Sequence, residues 1–369
     1  MSMILDGSNG VTFNDASLQG AAASPYVLKN RIINGAMVID QRNAGASVTP
    51  TNAQYLVDRW TSSVSAASKW SAQQSSTAPT GFNTSLLITS LSAYSVGSGD
   101  VFGVYQQIEG FNTADLSFGT ANAKTITISF WVRSSLTGTF SGSLLNATAN
   151  RSYPFTYTIS VANTWEQKSV TITGDTSGTW QGATNAVGLT VYFNLGVGST
   201  YGSGTANTWS STSTYGTSSS TSVVGTNGAT FYITGVQLEV GTSATPFERR
   251  LYGQELINCQ RYCVVYGREA TYNEISGTGF AISSTTVDLP VILSPQMRTI
   301  PSISSSGNFQ LSDGAAATVI TSFQIASPQS SSLVLSLRAN VSSGLTTFRP
   351  YRIESANSAA STLTISAEL

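Results

Sequence analysis

The chain of 369 residues balances 17 Lys and Arg against 18 Asp and Glu and contains no histidine. Without an imidazole it has no Ser-His-Asp or Cys-His nucleophile, no His-based metal site and no side chain that ordinarily titrates near neutral pH. Charged residues are only 9% of the chain, against about a quarter in an ordinary globular domain, so the clustered positive charge that duplex nucleic acid demands is missing.

Residues 1–29 read as an extended N-terminal arm. Asp6-Gly7-Ser8-Asn9-Gly10 is turn chemistry, and Ile4, Leu5, Val11, Phe13 and Leu18 are the arm's larger anchors before an Ala-rich stretch. So few apolar side chains cannot bury enough area to fold alone, which predicts docking on another surface. The opening residues lack the basic and apolar regions of a signal peptide. No apolar run reaches the roughly eighteen residues of a membrane helix, so membrane insertion is not expected.

Residues 30–244 read as all-β. Ile126, Ile128, Phe130 and Val132 alternate with polar residues and with Trp131 and Arg133, as do Val170 and Ile172, then Val187, Leu189, Val191 and Phe193. Period-two runs separated by turns such as Thr173-Gly174-Asp175 predict a sandwich or barrel. From Phe231 to Val240 the apolar phase flips at Thr234-Gly235. One extra residue there restores the inward face, which predicts a β-bulge. Residues 196–228 are rich in Gly, Ser and Thr, and a loop of that length is functional or disordered.

Thr245-Pro246-Phe247-Glu248 has the form of a capped helix start, so residues 245–266 are expected to hold a connecting helix reaching about Tyr262. Residues 267–369 read as a smaller antiparallel β domain, with alternation at Val287, Leu289, Val291 and Leu293 and again at Leu333, Leu335 and Leu337. Pro290 inside its first clear strand predicts an edge or a bulge. Cys259 and Cys263 read as buried free thiols. Two thiols without a histidine complete no zinc site, and no cofactor or metal is expected.

Trp180, Tyr201, Trp209 and Tyr215 stand in loop-like contexts and are the candidate faces for a sugar ring; the alternative role for each is pinning its loop to the sandwich. Trp60, Trp131 and Trp165 read as core or near-core. Asp58 and Glu239 are expected to pair with Arg59 or Arg133 or to sit on a solvated face, rather than to contribute to a calcium site whose remaining oxygens the sequence does not supply. Glycoside cleavage needs two carboxylates, but Glu109, Asp115, Glu166 and Asp175 sit in no motif that singles them out. The chain is therefore expected not to be an enzyme.

Several ordered stretches carry a resemblance. Asn30-Arg31-Ile32-Ile33-Asn34-Gly35-Ala36-Met37, Gln41-Arg42 and Asp58-Arg59-Trp60 resemble the opening of jelly-roll domains in bacteriophage tail-fibre proteins. Ile128–Arg133 and Thr164-Trp165-Glu166 resemble interior strands of those domains, which are similar to carbohydrate-binding modules. Ile233–Gly241 with Ala244–Glu248 resembles their end, and Asn258–Tyr262 the helix that follows. Ile4–Val11 looks like a tail-fibre start. The resemblance implies a jelly-roll β-sandwich in a homotrimeric fibre, assembled in the host cytoplasm and exposed on the virion surface. It further implies attachment to another virion protein through residues 1–29 and binding of a host-surface glycan or lipopolysaccharide. Alternatives are a purely structural decoration, head fibre or adaptor, and a polysaccharide depolymerase.

Overall fold

The computed structural model describes the backbone of residues 4–6, 10–12 and 18–19 and all of residues 29–275 and 277–369. Phe13 lies outside the described residues. In the arm, β1 (Ile4–Asp6), β2 (Gly10–Thr12) and β3 (Leu18–Gln19) pair antiparallel in that order.

The main body is a jelly-roll β-sandwich. Its strands are β4 (Tyr55–Val57), β5 (Trp60–Val64), β6 (Trp70–Ser75), β7 (Ser85–Ser90), β8 (Val101–Glu109), β9 (Ile126–Ser134), β10 (Gly138–Leu145), β11 (Ser152–Ile159), β12 (Glu166–Ile172), β13 (Val187–Val197) and β14 (Thr230–Val240). One sheet has six strands in the order β11-β10-β13-β8-β5-β4, and the other five in the order β12-β9-β14-β7-β6. The period-two pattern decides what lies between them. Phe130 of one sheet and Phe193 of the other meet edge to face at 5.0 Å, both fully buried, and each such ring contributes about 1.5–3 kcal/mol by leaving water.

The strand register slips between Thr234 and Gln237, and Gly235 takes φ +61°. The bulge keeps Phe231 and Ile233 inward on one side and Val236 and Leu238 inward on the other. Beyond the bulge β14 loses β7 as a partner, because β7 pairs only with Thr230–Ile233. Residues 30–36 take its place: Arg31 N donates to Leu238 O at 2.9 Å, Leu238 N to Asn30 Oδ1 at 3.0 Å, and Val236 N to Gly35 O at 2.9 Å. The two stretches that bracket the sandwich in sequence are thus hydrogen-bonded partners in space.

The helix is shorter than its sequence signal. α1 spans Tyr252–Gln260 and begins after Leu251, not at Thr245. Thr245 does not cap; its hydroxyl donates to Glu239 at 2.7 Å, and Glu248 N is held by Gln237 Oε1 at 2.7 Å. Polar partners on the bulged strand outcompete the local helical turn. The segment after α1 is not helical either, since β15 (Cys263–Gly267) follows at once.

The remaining strands are β16 (Gly279–Ser283), β17 (Thr286–Ile292), β18 (Ser302–Ser306), β19 (Phe309–Ser312), β20 (Ala317–Ile325), β21 (Val334–Val341), β22 (Pro350–Ser355) and β23 (Thr362–Ser366). β16-β17-β21-β20-β19-β22 closes into a barrel, and β15-β23-β18 forms a small sheet. Closure leaves few free edges. Pro290 lies past Asp288, the last β17 residue paired with β16, so the strand is an edge on that side at the proline.

Polar contacts join the barrel region to the sandwich. Arg59 is buried, with its guanidinium 3.6 Å from the Tyr262 ring centroid, and it pairs with Glu368 and donates to Gln107 O at 2.6 Å. Arg42 reaches Glu368 at 3.1 Å, and Arg261 holds Glu109 through two bonds at 2.8 and 2.9 Å. Arg298 and Asn185 exchange hydrogen bonds at 2.9 and 3.0 Å.

Candidate functional site

The six-stranded sheet presents its outer face to a groove of about 440 Å³. Strand parity sets the floor. Phe102, Val104 and Ile108 of β8 and Leu189, Val191 and Phe193 of β13 point into the core. The intervening Tyr105, Gln107, Thr190 and Tyr192 point outward and line the groove. Cross-strand pairing places Tyr105 opposite Tyr192 and Gln107 opposite Thr190. Tyr192 lies flat across Gly103: a Cβ on that glycine would come within 2.2 Å of its hydroxyl, so only glycine fits beneath the ring.

One wall comes from the Gly/Ser/Thr-rich segment. It is a flap tied to the sheet. Ser210 N and Ser152 N exchange bonds with each other's carbonyls at 2.8 and 3.1 Å, Asn207 N donates to Pro154 O at 2.7 Å, and Thr221 N to Thr139 O at 2.7 Å. Beneath the flap the buried Asn194 donates to Ser141 Oγ at 3.1 Å. The flap thereby covers the β10–β11 side of the sheet and leaves β8 and β5 open. It delivers Tyr215 to 5.0 Å from Tyr192 and Tyr201 to 5.6 Å from Tyr215, between ring centroids. With Tyr105 stacked on Tyr192 at 6.1 Å and 15°, four tyrosines run in series. Asn52 and Ser63 stand beside them, whereas the Ser65 hydroxyl is held by Asp100 at 2.9 Å and the buried Asn146 amide by Asn150 and Thr179.

Among the described residues no Asp, Glu, Lys, Arg or Cys lines this groove. Burial raises the Tyr105 hydroxyl above the usual tyrosine range, with the neighbouring Tyr215 adding to it, and burial also raises Tyr192. Both rings stay neutral at any ordinary pH. The Tyr192 hydroxyl is buried beneath the groove floor, over Gly103.

The four aromatics singled out in the sequence divide into two pairs. Tyr201 and Tyr215 form the groove wall. Trp180 and Trp209 sit elsewhere, edge to face at 5.5 Å and packed on Phe118 and Tyr153. Their indole N–H groups are already used: Trp180 donates to Asp175 at 3.2 Å and Trp209 to Thr173 O at 2.7 Å. Both indoles pin loops to the body.

Tyr105 and Tyr192 were not singled out in the sequence, although each is an aromatic on the polar parity of a strand whose other parity is core. Two expectations are corrected. Trp60 is core, but Trp131 lies half-buried on the outer face of the five-stranded sheet, because Phe130 and Val132 take the inward places, and Trp165, just ahead of β12, is half-buried 6.0 Å from Tyr232. Asp58 pairs with neither arginine; it accepts from Gln41 N at 2.9 Å, and Glu239 from Thr245 and Gln237. Among the described residues no cluster of acidic and Cys side chains has the makings of a metal site. Ile4, Leu5, Val11 and Leu18 lie in the arm strands.

No family model and no curated protein matches the sequence. Among solved structures, the enzymatically active domain of tailspike protein 4 from bacteriophage CBA120 aligns at 17% identity over 60% of this chain and 22% of its own, with a TM-score of 0.33. The family 11 carbohydrate-binding module from Clostridium thermocellum aligns at 12% identity over 53% of this chain and 96% of its own, with a TM-score of 0.28. A xylan-binding domain from Paenibacillus barcinonensis aligns at 10% identity over 54% and 97%, with a TM-score of 0.28.

Proposed function

We propose that the chain is a non-enzymatic phage fibre protein that binds a host-surface glycan in the groove on its six-stranded sheet. The observation that carries this reading is the run of Tyr105, Tyr215 and Tyr201 around the buried Tyr192, beside Asn52 and Ser63 and, among the described residues, without a charged side chain lining the groove. Aromatic rings offer flat apolar faces to the C–H face of a pyranose, and amides and hydroxyls match its hydroxyl groups.

The fibre setting rests on the motifs bracketing the sandwich and on the strands of the arm. In it, residues 1–29 attach to another virion protein, three copies assemble, and the particle exposes the groove on its surface. Three weak sites on one rigid support bind a dense glycan far more tightly than one site does.

The test is binding of the full chain to host-derived polysaccharide, wild type against Tyr105→Ala and Tyr215→Ala, with sedimentation giving the number of subunits. The reading expects retention of the wild type on the polysaccharide, at least tenfold weaker retention of the variants (roughly the loss of one stacking contact), and a trimer. Equal retention of wild type and variants refutes the groove, a monomer refutes the trimer, and shortened polysaccharide chains refute the non-enzymatic reading.

A further inference from the structure

A second depression, of about 520 Å³, lies on the outer face of the opposite sheet, where Phe82, Trp131 and Phe247 surround an opening edged by Gln167 and Ala244-Thr245-Pro246. Its chemistry differs from that of the tyrosine groove in one respect: it contains a cation. Arg249 lies 4.6 Å from the Phe82 ring centroid and 5.8 Å from that of Phe247, and it has neither an ion pair nor a side-chain hydrogen bond among the described residues. Every other carboxylate or guanidinium nearby is engaged. Glu239 accepts from Thr245 and Gln237, Glu248 accepts from Asn30 and Arg250, and Arg250 also holds Glu255. The Arg249 fork is held over a ring with its N–H groups unspent. The exposed Gln167 amide and the Trp131 indole N–H are likewise without partners among the described residues.

The β-bulge builds this depression. Gly235 lets Phe82 pack directly on β14: a Cβ there would meet the Phe82 ring at 2.7 Å and Trp131 at 3.1 Å. Phe82 in turn meets Phe247 edge to face at 5.1 Å. The Ala244–Phe247 segment stays close to the sheet because Thr245 is tied to Glu239 and does not start a helix.

From this geometry we infer a second binding site, specific for a sugar that carries a carboxylate, such as a uronic acid. The planar guanidinium, held over Phe82, takes the carboxylate through two parallel hydrogen bonds, the Trp131 ring receives the sugar's C–H face, and the Gln167 amide bonds a ring hydroxyl. A neutral sugar leaves the guanidinium unmatched, and an inorganic anion leaves the rings uncovered. The two sites lie on opposite faces of the sandwich and divide their ligands by charge.

The probe is methyl glucuronide titrated into the full chain, followed through the tryptophan indole N–H resonances, with methyl glucoside and inorganic phosphate at matched ionic strength as controls. The Trp131 resonance, assigned with Trp131→Phe, shifts saturably with the glucuronide and with neither control. Affinity falls roughly tenfold or more in Arg249→Gln and in Arg249→Lys, since an ammonium cannot reproduce the fork, and is unchanged in Tyr105→Ala. Equal response to glucoside, equal response to phosphate, or unchanged affinity in Arg249→Gln overturns the inference. Failure of the tyrosine groove to bind a neutral glycan leaves this result unaffected, because Tyr105→Ala separates the two sites.

Discussion

Replacing Arg59 by Met tests what holds the barrel region to the sandwich. Burial opposes the Arg59 charge, but Glu368, with the Tyr262 and Tyr55 hydroxyls, outweighs it and raises the guanidinium's pKa. The substitution leaves Glu368 buried with Arg42 as its remaining cation, and it strips Gln107 O of its donor. Removing one partner of a buried ion pair costs about 3–5 kcal/mol. Because the orphaned Glu368 charge causes much of that loss, Glu368→Gln in the same chain should recover about 1–3 kcal/mol of it as a coupling energy. Urea unfolding of the four proteins of this cycle gives the energies. Hydrogen exchange locates the effect, with faster exchange expected in β15 and β23 than in β9 and β13. A loss under about 1 kcal/mol, or a double variant whose cost is the sum of the single ones, refutes the reasoning.

Four other outcomes follow from the same contacts. Glycan binding in the tyrosine groove should be flat in pH from about 5 to 9 and almost independent of salt, because among the described residues no Asp, Glu, Lys, Arg or Cys lines it and burial raises Tyr105 and Tyr192; a titration step near neutrality in a binding isotherm series contradicts this reading of the groove. Gly235→Val should destabilise the fold by about 1–3 kcal/mol through its strained positive φ alone, with a further loss from the clash with Phe82, read from the urea midpoint. Burial raises the Asp58 pKa despite Arg42 and Gln41, so the folded state holds this proton more tightly than the unfolded chain. Stability should therefore fall as pH rises from the unfolded carboxylate value through the folded one, a slope absent in Asp58→Asn when melting temperature is plotted against pH. Burial pushes up the pKa of both Cys259 and Cys263, so neither should react with a disulfide reagent until the protein is unfolded, when two thiols per chain appear.

The parts of the fold legible in the sequence are those fixed by short-range pattern. Alternation at Ile126–Val132 and Val187–Phe193 marked the inner faces of β9 and β13, and the phase flip at Gly235 marked the bulge. The helix start at Thr245 was misread for a physical reason: a capping signal is local, whereas Glu239 and Gln237, which claim Thr245 and Glu248, belong to a neighbouring strand. The tyrosine groove was half legible. Tyr201 and Tyr215 stood out in a low-complexity segment, but Tyr105 and Tyr192 join them only through pairing between strands more than eighty residues apart in sequence. Trp180 and Trp209 stood beside them in the sequence because nothing in it shows that these indoles pack on Phe118 and Tyr153, apart from the tyrosines. Closure of the C-terminal strands into a barrel depends on β16 meeting β22, a long-range pairing that no alternation encodes.

Residues 30–36, hydrogen-bonded along β14 beyond the bulge, have a mechanical consequence. A pull that enters the sandwich at residue 29 does not meet a free hinge. It meets Glu248, which accepts from Asn30 N at 3.1 Å, and then the bonds from Arg31 to Leu238 and from Val236 to Gly35. Tension from the arm is therefore shared among several bonds to a central strand of the core. The sandwich resists being drawn out from its N-terminal side as a unit.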